Sequence, residues 1–327
     1  MHGRYRKGRR IAPLLLSFLL LLSSCAPSYT RAEGYGMGTF LSVSAEREDT
    51  ASALLPLVNA LENEISHRVA DSSVARLNLG DTVLLSLRLK EALALSADVA
   101  EKTEGAFSPF SLPVTALWDF NGTPRVPDEA ALAAALAQVK GASLTVSENG
   151  AASLIGKIDL GAVGKGMAAD LLADALKERG ESGLVSVGGS IAAVGNKGNE
   201  PWRVGVRDPL DTSKTVGTLS LSDVFVSTSG SYEKSFTEDG VSYHHIIDMR
   251  TGMPARQGLV SVTVVAESGV LSDILSTAVF AVGMEKGSTL CEAYGAHLLA
   301  ITEDGTLYAS EGMRALFTAE KGTVLPL

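Results

Sequence analysis

The stretch VTVVAESGVLSDILSTAVFAV, residues 262–282, decides how the chain is read. Val262 to Ala266 are β-branched or small apolar residues and read as a strand. Val270 to Val282 follow as an apolar helix. That helix interrupts a strand-rich half, in which Leu184–Val187, Trp202–Val206 and Val216–Leu221 carry β-branched residues or alternation. After it come a helix at Lys286–Tyr294 and a strand pair at His297–Ile301 and Thr306–Ala309. Before the strands, helical spacing appears at residues 51–66 and 86–103. Residues 127–140 open on proline and acids and close on lysine, a helix signature. Lys157–Leu160 reads as a strand end, Gly161–Gly166 as a loop, and Met167–Arg179 as a helix stopped by Gly180. Helices and strands mix without regular alternation, which favours α+β over a doubly wound parallel sheet.

Three groups of residues can carry chemistry. Asp273 is the one charge in the Val270–Val282 helix, and a carboxylate in so apolar a segment must be paired, hydrogen-bonded or metal-bound. Ser276 and Thr277, at i+3 and i+4, share its face and make an oxygen-rich set suited to Mg²⁺. The same pattern fits an acid favoured by the helix dipole with hydroxyls bonding back to the helix. In the second group, Asp159 and Lys165 flank a glycine-rich turn leading into a helix, a place where amides favour phosphate or where glycines merely serve the turn. The third is Tyr243-His244-His245-Ile246-Ile247-Asp248, a strand whose two histidines point to opposite faces. One of them is then free to act as a general base, unless the segment is only a half-buried strand. No GxGxxG, GxxxxGK[ST], HExxH or GxSxG stretch is present.

The chain has 327 residues, 46% of them hydrophobic and 20% charged, which excludes a disordered chain. Its net charge of −9 argues against nucleic-acid binding. Two cysteines, Cys25 and Cys291, exclude a disulfide scaffold. Arg4, Arg6, Lys7, Arg9 and Arg10 precede the short, mostly apolar run Ile11–Leu22, too short for a typical membrane span. Leu22-Ser23-Ser24-Cys25 resembles the bacterial lipobox, against the alternative of an ordinary signal peptide with an incidental cysteine. Residues 1–24 are therefore expected to be a lipoprotein signal peptide, with Cys25 lipidated and 25–33 a tether to a domain at 34–327. Removing 1–24 leaves 23 basic against 37 acidic residues, a net charge of −14. Cys291 is then alone and reads as a small core residue.

Several ordered motifs resemble the ApbE family of FAD:protein FMN transferases. They are Met37-Gly38-Thr39, Gly105-Ala106-Phe107 with Leu117–Phe120, and Ile158–Gly166, followed by Val187-Gly188-Gly189 and Trp202–Pro209. Thr228-Ser229-Gly230, His245–Asp248 with Thr251-Gly252, and Ser272–Thr277 complete the set. The resemblance implies an α+β fold of mixed helices and largely antiparallel sheets, T-fold-like, as one catalytic domain with two subregions. It implies Mg²⁺-dependent transfer of FMN from FAD to a threonine hydroxyl of a target protein, with release of AMP. The targets implied are flavin-carrying subunits of membrane redox complexes on the extracytoplasmic side, which agrees with an exported, lipid-anchored protein.

Carried onto this sequence, the resemblance gives Asp273, Ser276, Thr277 and the Ala162 carbonyl to the metal. It gives Met37, Arg68, Ala106, Phe107, Ser108, Asp159, Lys165 and Ile247 to FAD, and His245 to the threonine proton. Ser108, Ser190 and Met249 depart from the family pattern of Asp, Asp and Pro. The first two remove carboxylates near the expected nucleotide site. Two other readings remain at this stage: an FAD pyrophosphatase, and a lipid-anchored flavin- or solute-binding protein without catalysis.

Overall fold

The computed structural model describes residues 28–327. The signal segment 1–24 and the lipidation site Cys25 lie outside the described residues. The chain opens on a hairpin, β1 (Thr30–Gly36) and β2 (Thr39–Ala45). Met37 and Gly38 close it with φ of 52° and 70°, the two positive values that a tight hairpin turn requires. Of the stretch expected to be a tether, Thr30–Glu33 instead pair with Ser42–Ala45. This polar edge strand has no apolar alternation to announce it, because its outer positions face solvent.

The first half continues with α1 (Glu48–Ile65), α2 (Ser73–Asn78), β3 (Val83–Leu84), α3 (Leu87–Lys102), α4 (Leu112–Trp118) and α5 (Glu129–Lys140). Then come β4 (Ser143–Val146), β5 (Ala151–Ile155), α6 (Gly164–Glu178), β6 (Gly183–Val187), β7 (Ser190–Val194), β8 (Trp202–Arg207), β9 (Thr215–Leu221) and β10 (Val224–Gly230). Short strands β11 (Ser235–Glu238), β12 (Val241–His244), β13 (Ile247–Asp248) and β14 (Met253–Pro254) precede β15 (Leu259–Ala266) and α7 (Gly269–Val282). The chain closes through α8 (Met284–Ala293), β16 (His297–Thr302), β17 (Leu307–Ala309), α9 (Glu311–Leu316), β18 (Phe317–Ala319) and β19 (Val324–Pro326).

Lys157–Leu160, read as a strand end, lies outside β5. The Asn78 side chain takes the place of a neighbouring strand there. Its amide donates to the Ile158 carbonyl at 2.9 Å and its oxygen accepts from the Ile158 amide at 2.7 Å. A side chain 80 residues away satisfies this backbone, so no strand pattern is needed in the sequence.

A nine-stranded sheet in the order β1-β2-β6-β7-β10-β15-β16-β17-β19 forms the centre. Its pairs are antiparallel except β17 with β19. Helices α1, α6 and α7 bury their apolar side chains on one face, and the sheet β18-β9-β8 covers part of the other. A separate, smaller cluster surrounds Trp118, whose indole donates to the Gly252 carbonyl at 2.8 Å. Nearly every side chain of α7 is buried, as befits a helix that is apolar all round.

Two glycines fix how α6 meets α7. A Cβ on Gly166 would lie 2.2 Å from the Gly269 carbonyl oxygen, and one on Gly269 would lie 2.4 Å from that of Gly166. Only glycine permits this backbone approach. Asp170, one turn along α6, accepts the Gly269 and Val270 amides at 2.6 and 2.9 Å and so caps α7. Ser268 adds a side-chain cap on Leu271.

Candidate functional site

A cavity of about 1120 Å³ opens between these elements. Ten of the residues singled out from sequence line it: Met37, Arg68, Phe107, Ser108, Asp159, Ala162, Lys165, His245, Ile247 and Thr277. They come from hairpin, loop and helix positions far apart in the chain. Ala106, Asp273 and Ser276 stand one layer behind the wall and are 0%, 3% and 0% exposed. Ala106 spends its carbonyl on the Met249 amide at 2.9 Å.

The α6–α7 crossing builds the oxygen-rich end. The Gly166 amide donates to Asp273 Oδ2 at 3.0 Å. In a regular helix that amide reaches the carbonyl four residues back, which here is Ala162. The Ala162 carbonyl is thus left without a hydrogen bond among the described residues. Lys165 Nζ lies 3.1 Å from Asp273 Oδ1 and also donates to the Gly161 carbonyl at 3.4 Å. Ser276 donates to the Asp273 carbonyl at 3.0 Å and bonds Ser229 at 2.8 Å. Ser229 in turn contacts Thr277 at 3.2 Å and lines the cavity, where Ser276 does not.

This donor set fits a hard cation. Among the described residues no cluster of three or more His, Cys, Asp or Glu exists. A metal here rests on one carboxylate, the Thr277 and Ser229 hydroxyls and the unbonded Ala162 carbonyl, with water completing the shell as Mg²⁺ prefers. Asp273 already attracts a cation, the Lys165 ammonium, and that side chain is partly exposed and able to swing aside.

The two histidines take different surroundings, but the expected Tyr243–Asp248 strand is broken: β12 ends at His244 and His245 lies in the bend before β13. His244 Nε2 lies 2.9 Å from the Ala255 carbonyl, and its Nδ1 accepts the Ile246 amide at 3.3 Å, so both nitrogens are committed. Its ring packs edge-on against Phe280. His245 lines the cavity. Its Nδ1 faces the Lys234 carbonyl at 3.3 Å, and a carbonyl only accepts, so Nδ1 carries the proton. Nε2 keeps its lone pair. Burial, then the Lys165 and Lys234 charges, push the His245 pKa down to about 4. The ring is therefore a neutral base at neutral pH.

The phosphate-loop reading of Asp159 and Lys165 resolves into two jobs. Asp159 accepts from the Gly161 amide at 2.9 Å and from Thr115 at 2.8 Å, and His67 stands 3.7 Å away. It braces the glycine turn, while Lys165 supplies the positive charge. Sequence reasoning missed Glu233, Lys234, Arg207 and Ser229, all of which line the cavity. Burial raises the Glu233 pKa, and burial with the Lys165 and Arg68 charges lowers that of Lys234. Ser229 lies within the Thr228-Ser229-Gly230 motif and Arg207 within Trp202–Pro209, so these two had a signal, while Glu233 and Lys234 had none.

The family model described as "ApbE family" matches residues 37–301. This chain belongs to the ApbE family. A FAD:protein FMN transferase of Klebsiella pneumoniae is 32% identical over 340 residues, covering 94% of this chain and 97% of that protein. One from Treponema pallidum is 33% identical, with 87% of each chain covered. One from Rhodobacter capsulatus is 35% identical, and there the match spans 50% of the relative's length. Among solved structures, the ApbE protein of Thermotoga maritima matches with a TM-score of 0.81 at 30% identity, over 88% of this chain and 99% of that one. The flavin transferase ApbE of Vibrio cholerae matches with a TM-score of 0.76 at 27% identity, over 88% and 100%. The fold of mixed helices and mostly antiparallel strands is that of these ApbE structures.

The departures from the ApbE pattern fall in different places. Ser108 lines the cavity, and its hydroxyl accepts the Phe110 amide at 3.2 Å. Met249 packs in the Trp118 cluster and also lines the cavity. Ser190 was expected near the nucleotide, but it is fully buried, does not line the cavity, and bonds Asp273 Oδ1 from behind at 3.2 Å. Cys291 is buried in the main core and its thiol is pushed up to about 12 by that burial, in line with a packing role.

Proposed function

We propose that this protein is a FAD:protein FMN transferase that moves FMN from FAD onto a threonine hydroxyl of a target flavoprotein and releases AMP. The observation that carries the reading is one cavity lined both by a neutral histidine with a free Nε2 and by the Ala162, Ser229 and Thr277 oxygens, with the Asp273 carboxylate directly behind that wall. Membership of the ApbE family supports it. Mg²⁺ bound by Asp273, Thr277, Ser229 and the Ala162 carbonyl would neutralise pyrophosphate charge and polarise the phosphorus. Lys165 and Arg207 add positive charge to the cavity wall. The Asp159-braced turn holds Ala162 and Lys165 in place. His245 Nε2 takes the threonine proton as the threonine oxygen bonds to the FMN phosphorus. The bond from that phosphorus to the bridging oxygen breaks, and AMP leaves with that oxygen.

The target is a flavin-carrying subunit of a membrane redox complex, and the enzyme is anchored outside the cytoplasm through lipid at Cys25. The basic start, the short apolar run and Leu22-Ser23-Ser24-Cys25 support that placement. The test is chromatographic measurement of AMP with FAD, Mg²⁺ and a threonine-bearing acceptor, against the same mixture without acceptor and with chelator. Transfer predicts acceptor-dependent AMP that chelation abolishes and added Mg²⁺ restores. AMP released at equal rates without acceptor makes the protein a pyrophosphatase instead.

A further inference from the structure

Behind Asp273, away from the cavity, three serine hydroxyls form a row. Ser272 Oγ lies 2.8 Å from Ser227 Oγ, Ser227 Oγ lies 3.0 Å from Ser190 Oγ, and Ser190 Oγ lies 3.2 Å from Asp273 Oδ1. All three serines are 0% exposed, so no solvent replaces a lost partner. They come from α7, β10 and β7, so the row crosses from the helix to the sheet and returns to the helix.

Each hydroxyl has one proton, and a carboxylate only accepts. Ser190 must therefore donate to Asp273, which leaves it to accept from Ser227. Ser227 has then used its proton, and Ser272 gives its own to the Gly269 carbonyl at 2.9 Å, so Ser272 only packs against the far end of the row. From Ser227 inward the protons run in one direction, toward Asp273. Such a chain polarises along its length and is strongest at the charged end. It pins Oδ1, while the Gly166 amide pins Oδ2 at 3.0 Å. The carboxylate plane is thereby fixed relative to Thr277, one turn along the same helix.

We infer that the Ser227–Ser190 hydroxyl relay is a positioning device for Asp273, holding its carboxylate in the orientation that binds a divalent cation. Ser190 stands at the third position of a Gly-Gly-Asp motif, and a neutral hydroxyl chain here does an orienting job without placing a second carboxylate against Asp273. The inference rests on the metal reading proposed above. It assigns no contact with substrate to any of the three serines.

The test is Mn²⁺ titration of the full chain by electron paramagnetic resonance, with neither FAD nor acceptor present. Mn²⁺ is the probe because it accepts the same oxygen ligands as Mg²⁺. Ser190→Ala is expected to weaken Mn²⁺ binding about 10- to 100-fold, as loss of a partner to a metal ligand does. Ser227→Ala, which leaves the Ser190–Asp273 contact in place, weakens it less. Ser190→Thr, which keeps the hydroxyl, restores most of the affinity. Thermal melts identify any variant that fails to fold, and Ser227→Ala carries the test if Ser190→Ala does. Equal Mn²⁺ affinity in folded Ser190→Ala, or in Ser227→Ala if only that variant folds, overturns the inference while leaving flavin transfer untouched. Weakened Mn²⁺ binding in a protein that transfers no flavin supports the chain and refutes the proposed activity. A wild-type protein that binds no Mn²⁺ overturns both.

Discussion

The two polar ends of the cavity are built on opposite plans. Around Asp273 almost every polar atom has a partner, the side chains are buried, and two helices locked through Gly166 and Gly269 hold the geometry. The His245 ring makes one long hydrogen bond, follows β12 rather than sitting within it, and has the Lys165 and Lys234 charges for neighbours. A cation must be met by oxygens already in position, because reorganising them consumes the binding energy. A base must instead keep one lone pair unspent and stay neutral. Under the proposed function, one end serves fixed charge and the other a moving proton.

Breaking the rigid end should have the larger effect. Asp273→Asn removes the one carboxylate from the metal set. Flavin transfer is expected to fall about a thousandfold, equivalent to several kcal/mol of lost charge stabilisation. Initial rates across a Mg²⁺ titration check it, and near-normal turnover in this variant contradicts the metal assignment. At the proton end, His245→Gln should cost about a hundredfold or more in kcat, the usual contribution of a general base. Single-turnover measurements with saturating FAD and acceptor separate that loss from weakened binding.

The pH profile sharpens the comparison. As the proposed base His245 acts in its neutral form, and its pKa is lowered to about 4, so protonation is expected to remove activity only as pH falls through that value. The acid limb of kcat/KM should lie near 4, well below the ordinary histidine value of about 6.5. Lys234→Ala removes one of the repelling charges and should move the limb upward. A limb near 6.5 in the wild type would assign the base elsewhere.

The smallest effect concerns stability alone. Asp170→Ala uncaps α7, leaving the Gly269 and Val270 amides without their acceptor. It should lower unfolding free energy by about 1–2 kcal/mol, the usual cost of a lost helix cap. Urea denaturation reads this directly.

Legibility in the sequence followed the same division. The Val270–Val282 helix and the Val262–Ala266 strand were readable because burial on all sides leaves a strong apolar signature. Asp273 stood out for the converse reason, as the one charge among apolar neighbours. The edge strand β1 was hidden because its outward residues are polar. Asn78 bracing Ile158 and Asp170 capping α7 were hidden too, because each is one polar side chain meeting a backbone 80 or more residues away. The serine chain was invisible for a further reason. Isolated serines carry no pattern, and only the sheet brings Ser190 and Ser227 beside Ser272. The His244–His245 pair was half legible: the two rings do part, but at a bend after β12 rather than by strand alternation, and which ring kept a free nitrogen depended on the Ala255 and Lys234 carbonyls.

The central claim is that the two ends of this cavity act together to move FMN onto a protein. Mass spectrometry of a threonine-bearing flavoprotein subunit, after incubation with the purified enzyme, FAD and Mg²⁺, tests it most directly. The account predicts a mass gain of one FMN joined through a phosphoester on threonine, matched by an equal amount of AMP. An unmodified acceptor beside intact FAD would contradict it.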